Sequence, residues 1–234
     1  MKEKIRKNRK FWFKVYKAIL RIFYRKPKKF VYLGDEFETR SLVLSNHLGA
    51  FTPMTIELYL KKYMRFWGTH EMNDGLKSSY KYLSTEHFQV RRKFSPRKAK
   101  FLAVIAAPLT TVFYKGLRLI PTYTDARLRG TIVESLKAIE EGQNLIIFPE
   151  NITEGYFEEL TGFHAGFLVL AEKAYKKGYD LPIYVSYYQQ KNRIFVIDKK
   201  VMYSELMNSG LSREEICQKL CDRCNELGKM KIEL

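Results

Sequence analysis

The chain is poor in the features that mark special classes of protein. Its three cysteines, Cys217, Cys221 and Cys224, all fall near the carboxyl end, so no disulfide framework is implied and the thiols fit a reducing compartment. No stretch reaches the roughly 18 uninterrupted apolar residues expected of a spanning helix. The nearest candidate, residues 101–112, suits a core helix or a segment dipping into an interface. The amino-terminal apolar positions are broken by Lys or Arg at every turn, so no secretory signal is expected. Acid is nearly missing from residues 1–30, where Glu3 stands against 13 Lys and Arg, so that +12 of the formal net charge of +17 lies in this segment. The remaining residues are modestly charged, and the amino-terminal arm is the part that seeks an anionic partner.

A hydrophobic content of 46% over 234 residues argues against disorder and supplies enough apolar surface for one domain with an appendage. The cysteines, spaced four and three apart, share one helix face and read as small buried hydrophobes. Their neighbourhood offers no fourth ligand, so no metal site is expected. Residues 10–25 read as an amphipathic helix with a basic stripe of Lys10, Lys14, Lys17, Arg21 and Arg25. The rest of its circumference carries Phe11, Trp12, Val15, Tyr16, Ile19, Leu20, Ile22 and Phe23. A helix divided in this way lies in a membrane interface, its rings among headgroups and its cations near anionic phosphates. Nucleic acid favours scattered basic residues with polar neighbours, so the expected partner is an anionic membrane surface and not nucleic acid. The alternative, in which the apolar face packs on the protein's own core, stays open.

Pro27 ends this helix, which divides the chain into a membrane-association helix at 1–28 and a globular domain at 29–234. Short apolar runs at 29–33, 41–45, 65–69, 117–121, 144–148, 181–187 and 193–198 read as strands. Helical patterns at 54–63, 73–83, 101–115, 125–141 and 166–177 separate them, with Asp125 as a cap. Ser212 with Glu215 three residues on is a capping box that opens a closing helix. Strands alternating with helices predict an α/β domain with a largely parallel central sheet flanked by helices. The run 91–98, rich in Arg and Lys and free of acid, reads as a solvated loop able to touch phosphates.

Two of the strands stop abruptly at polar groups. The run ending at Ser45 meets Asn46 and His47, with Gly49 and Pro53 punctuating a turn, and the run ending at Phe148 meets Pro149, Glu150 and Asn151. In open α/β sheets ligands gather beyond the carboxyl ends of strands. A neutral imidazole presented there is the usual general base for removing a proton from an alcohol.

The order Asn46-His47, Leu119-Ile120-Pro121, Phe148-Pro149-Glu150, Gly162-Phe163-His164-Ala165-Gly166 and Leu181-Pro182-Ile183 resembles the blocks of the lysophospholipid and glycerophospholipid acyltransferase superfamily, which includes 1-acylglycerol-3-phosphate acyltransferases. The resemblance spans about 43–187. It implies a single acyltransferase-like domain and acyl transfer from an acyl-CoA or acyl carrier protein thioester to a lyso-lipid hydroxyl. His47 is then the general base, at the cytoplasmic face of a membrane, with no cofactor beyond the thioester co-substrate. It assigns substrate binding to Asn46, Phe148, Pro149, Glu150, Asn151, Thr153 and Arg127. The chain departs from the pattern where the motif aspartate gives way to Thr52 and where Gly-Thr-Arg becomes Asn151-Ile152-Thr153. Arg127 is displaced from the arginine expected just after Pro121. Thr52 is expected to hydrogen-bond His47 in place of the aspartate, with Glu57 and Glu71 as the other candidates.

Overall fold

The computed structural model describes residues 9–49, 51–123, 125–150 and 158–233. Its strands are β1 (Lys29–Tyr32), β2 (Leu42–Ser45), β3 (Met64–Thr69), β4 (Ile120–Thr122), β5 (Asn144–Ile147), β6 (Pro182–Gln189), β7 (Ile194–Ile197) and β8 (Val201–Met202). They form a mixed, mostly parallel sheet of order β1-β7-β6-β2-β5-β3-β4, with β8 paired to β6. Strands β6, β2, β5, β3 and β4 run parallel to one another, and β7 and β8 are antiparallel to β6.

Both faces of this sheet are covered, which is why β2, β5, β6 and β7 are buried at every position and read as continuous apolar runs. Alternation along each strand sorts the side chains. Leu42, Leu44, Leu145, Ile147, Ile183 and Val185 enter one core, while Val43, Ile146, Phe66 and Tyr184 enter the other. The first core is closed by α5 (Leu128–Glu140), α6 (Gly166–Tyr175) and α8 (Arg213–Lys229). Cys217, Cys221 and Cys224 all lie buried on the inner face of α8. The second core is closed by α1 (Phe11–Phe23), α2 (Phe51–Tyr59) and α4 (Pro96–Leu117). A short α3 (Leu76–Tyr82) precedes α4, and α7 (Tyr203–Met207) precedes α8.

Most boundaries follow local chemistry. Ser212 accepts the Glu215 N–H and Glu215 accepts the Ser212 N–H, the expected capping box. The helix expected from Asp125 begins three residues later, at Leu128, because the Asp125 carboxylate instead receives the Arg127 N–H at 2.9 Å in a local turn. The helix expected to end at residue 83 continues as a π-helix, Leu83–Arg91, and α4 starts earlier than expected, at Pro96 behind Ser95. The basic run 91–98 is therefore divided between the end of the π-helix and the first turn of α4.

Helix α1 is held against the domain. Phe13 is fully buried, 5.7 Å from Phe113 of α4, and Tyr16 donates to the Leu109 carbonyl at 3.0 Å. The basic stripe expected to face lipid is partly turned inward, since Lys17 pairs with Glu57 at 2.7 Å and Arg21 donates twice to the Leu58 carbonyl. Arg9, itself buried, forms a two-pronged ion pair with Glu57 (2.6 and 3.1 Å) and donates to the Met64 carbonyl at 2.9 Å and to the Leu117 carbonyl. A buried carboxylate needs such partners, because an unpaired charge there is strongly destabilising.

The approach of α1 depends on Gly116, whose missing Cβ is the space that the Phe13 ring occupies. Gly116→Val is expected to lower stability by about 1–3 kcal/mol through overpacking. Urea denaturation checks this, and an unchanged midpoint would mean that α1 does not dock as described.

Candidate active site

The pairing of β2 with β5 sets the geometry of the site. Leu44 lies opposite Ile147 in parallel register, and His47 and Glu150 each stand three residues further on. Both therefore emerge at the carboxyl edge of neighbouring strands, where an α/β sheet offers its crevice.

The chain leaves β2 in a fixed direction. Asn46 is fully buried, and its side chain accepts the Tyr188 N–H at 2.8 Å and donates to the Tyr188 carbonyl at 3.4 Å. It continues the β2–β6 ladder with a side chain, so it positions His47 through β6 main chain. Beyond His47 the backbone turns through Gly49 at φ 64, a conformation that favours glycine. Thr52, buried in the first turn of α2, accepts the Leu48 N–H at 3.3 Å. The histidine thus sits on a short loop pinned on both sides.

The partner loop is pinned as well. Pro149 accepts the His164 N–H at 2.7 Å, and Glu150 pairs with Phe163 in an isolated antiparallel bridge. This explains the Gly162-Phe163-His164 run of the sequence, which straps the end of β5 in place. The half-buried His47 ring stands edge-on to Phe148 with centroids 4.9 Å apart. The Glu150 carboxyl is buried and accepts a hydrogen bond from the His47 main chain. Its Oε1 finds no hydrogen-bond partner among the described residues.

Burial acts on the two groups in opposite senses. It pushes the Glu150 carboxyl up to about 8, against the opposing pull of the His47 hydrogen bond. It pushes the His47 imidazole down to about 3, helped by the positive charges of Arg91 and His87. At neutral pH the site therefore holds an uncharged imidazole beside a protonated carboxyl, the separation of protonation states that acid–base sites use.

The π-helix contributes residues that the sequence reading did not single out or took for solvated loop. Burial, with the charges of Arg92 and Arg91, pushes His87 down to about 4. Arg91, half-buried, donates to the Tyr82 hydroxyl at 2.8 Å. A π-helix has neither the 3.6 nor the 2.0 period on which sequence reading relies, and such turns occur often at functional sites.

The structure brings together His47, Asn46, Thr52, Phe148, Pro149 and Glu150. Arg127 lies beyond β4, two strands across from β5, exposed, with its guanidinium on Asp125 at 2.7 Å and 4.4 Å over the Tyr123 ring. Asn151 and Thr153 fall outside the described residues. Of the acids expected to replace the motif aspartate, Glu57 is engaged by Arg9 and Lys17, and Glu71 by Thr69 and His70. No group of three metal-ligating side chains gathers among the described residues.

The shifted groups make stability depend on pH. Between its unperturbed value of 4.5 and about 8, Glu150 is ionised in the unfolded chain and protonated in the folded one, so stability is lost as pH rises through this window. For His47 the loss comes as pH falls from 6.5 towards 3, because only the unfolded chain then takes up the proton. Glu150→Gln is expected to remove the first loss. In denaturant titrations the variant should gain on the wild type between pH 4.5 and about pH 8, the window that the raised carboxyl defines, and level off above it; parallel profiles would refute the dry, protonated Glu150. No model of a known protein family and no curated protein sequence matches this chain, so what the site does has to be argued from its own geometry and from the motif resemblance.

Proposed function

We propose that this protein is a peripheral membrane O-acyltransferase of the glycerolipid type, acting at the cytoplasmic face. It moves an acyl chain from an acyl-CoA or acyl carrier protein thioester to the hydroxyl of a lyso-lipid. The observation that carries the reading is the meeting of His47 and Glu150 at the ends of two register-matched strands, with the Glu150 carboxyl bonded to the His47 main chain. Packing alone does not call for a buried carboxyl beside a half-buried imidazole at that point.

In the reaction His47, already neutral, takes the proton of the acceptor hydroxyl as its oxygen attacks the thioester carbonyl. The tetrahedral adduct collapses by breaking the carbon–sulfur bond. The thiolate leaves with the proton returned from His47, which yields an ester and a free thiol. A protonated Glu150 is a hydrogen-bond donor that suits either the acceptor or the developing oxyanion. The guanidinium of Arg91, whose positive charge is felt at His47, suits an acceptor that carries a phosphate.

One observation favours a second reading, a catalytically lapsed member of the same fold that binds lipid. The Thr52 hydroxyl oxygen accepts the Leu48 N–H, and Glu57 and Glu71 have partners of their own. The imidazolium formed in the transfer therefore lacks the motif carboxylate that would stabilise it.

Purified protein incubated with radiolabelled acyl-CoA or acyl carrier protein and a panel of lyso-lipids separates the two readings. The wild type is expected to form labelled diacyl product. His47→Ala should lower the rate by about 10²–10⁴, the range for loss of a general base. Transfer by His47→Ala at the wild-type rate would move the chemistry elsewhere, and no transfer by the wild type to any acceptor would leave the lipid-binding reading.

A further inference from the structure

We infer that the outer faces of α1 and α4 together form one docking surface for an anionic phospholipid bilayer, with α4 supplying half of it. The inference rests on the membrane part of the proposed function and not on acyl transfer.

Helix α1 has three faces. Phe13 and Leu20 pack inward, and Lys17 and Arg21 turn to α2. Phe11, Val15, Ile19, Ile22 and Phe23 face outward. Helix α4 is divided in the same way. Ala99, Ala103, Ala107, Phe113 and Leu117 are buried against the domain. Phe101, Val104, Ile105, Leu109 and Val112, at helical spacings of three and four, form an outward stripe.

These ten side chains are each between 41% and 80% exposed. Ten large apolar side chains so exposed on two neighbouring helices are the kind of apolar surface that marks an interaction site. The two faces adjoin, because the Tyr16 hydroxyl on α1 bonds the Leu109 carbonyl within the α4 stripe.

The charge around the surface decides what covers it. Residues 4–34 and 87–124 contain no Asp or Glu, and they hold 12 and 8 Lys and Arg respectively. Since the whole chain carries +17, all of its positive excess lies in these two segments. Exposed Arg97, Lys98 and Lys100 stand at the start of α4, and Lys115 and Arg118 at its end, so cations bracket the apolar stripe. Two copies of the chain meeting through this face would set like charges against each other, and nucleic acid offers nothing to cover ten apolar side chains. An anionic bilayer satisfies both features, with acyl chains against the stripe and phosphates against its ends. Although α4 is long and apolar enough to cross a membrane, its inner face is packed against the π-helix, α3 and α1. It therefore lies along the interface.

The surface reaches the candidate site. The π-helix leads into α4, and Phe51, at the end of the His47 loop, is exposed and packs 6.2 Å from Tyr24 just beyond α1. A docked chain holds the His47 loop near the level of the headgroups.

Cosedimentation with vesicles of phosphatidylglycerol and phosphatidylcholine, and with phosphatidylcholine alone, tests the inference in the full chain without substrate. The wild type is expected to bind the anionic vesicles more tightly. Val104→Glu with Leu109→Glu on α4, and Ile19→Glu with Ile22→Glu on α1, should each weaken that binding at least about tenfold, since each pair places two charges where apolar groups are buried in lipid. Trp12 is partly exposed, whereas Trp67 is buried and bonded to Ser135, so a blue shift of emission on vesicle addition should report α1. His47→Ala should bind like the wild type, which separates this test from that of acyl transfer. If the α4 acidic pair unfolds the chain, the milder Val104→Ser with Leu109→Ser carries the same test with a smaller loss. Wild-type binding by the folded α4 variant overturns the inference. So does a lipid-free dimer, seen by light scattering, that the α4 substitutions dissolve while vesicle binding is unchanged.

Discussion

Parallel pairing of β2 with β5 is the interaction on which the rest of the molecule depends. Its register sets Leu44 against Ile147, and everything at the carboxyl edge inherits that alignment. Had the pairing slipped by one residue, Leu42 and Leu44 would have exchanged faces with Val43, and both cores would have lost their fit. Burial of the strands on both sides therefore fixes, at no separate cost, the relative height of His47 and Glu150. Asn46 then converts register into direction by bonding the Tyr188 main chain from both ends of its amide.

The same burial creates the electrostatic character of the site. A carboxyl and an imidazole in water would both be largely ionised near pH 5. Here the loss of solvent drives each towards its neutral form, and the cationic π-helix drives the imidazole further. The buried Glu57 shows the opposite solution. It sits as deep as Glu150, yet two cations hold it, so its role is to fasten α1 to the domain. Two glutamates of one chain thus differ in function because one is paired and the other is not paired with a cation.

Much of this was legible in the sequence. Buried strands announced themselves as apolar runs of five to seven residues, the Ser212–Glu215 box marked its helix, and the spacing of the cysteines predicted a buried face on α8. What stayed hidden had physical causes. The π-helix has no period that a sequence scan detects, so His87 went unremarked and Arg91 passed for solvated loop. The circumference of α1 looked like two faces and proved to be three, because Phe13 found Gly116, a residue 103 positions away. Long-range complementarity of that kind leaves no local trace. Arg127, singled out for its chemistry, pairs in the structure with Asp125 two residues away.

Arg9 has a mechanical meaning. Its guanidinium is tied to Glu57 on α2, to the carbonyl of Met64 where β3 begins and to the carbonyl of Leu117 where α4 ends. A helix on a flexible tether transmits no torque, whereas one fastened at three points behaves as a strut. Any load that presses on the outer side of α1 is carried through this joint into the central sheet and into α4 at once. The start of α1, the start of β3 and the end of α4 thus share one buried joint.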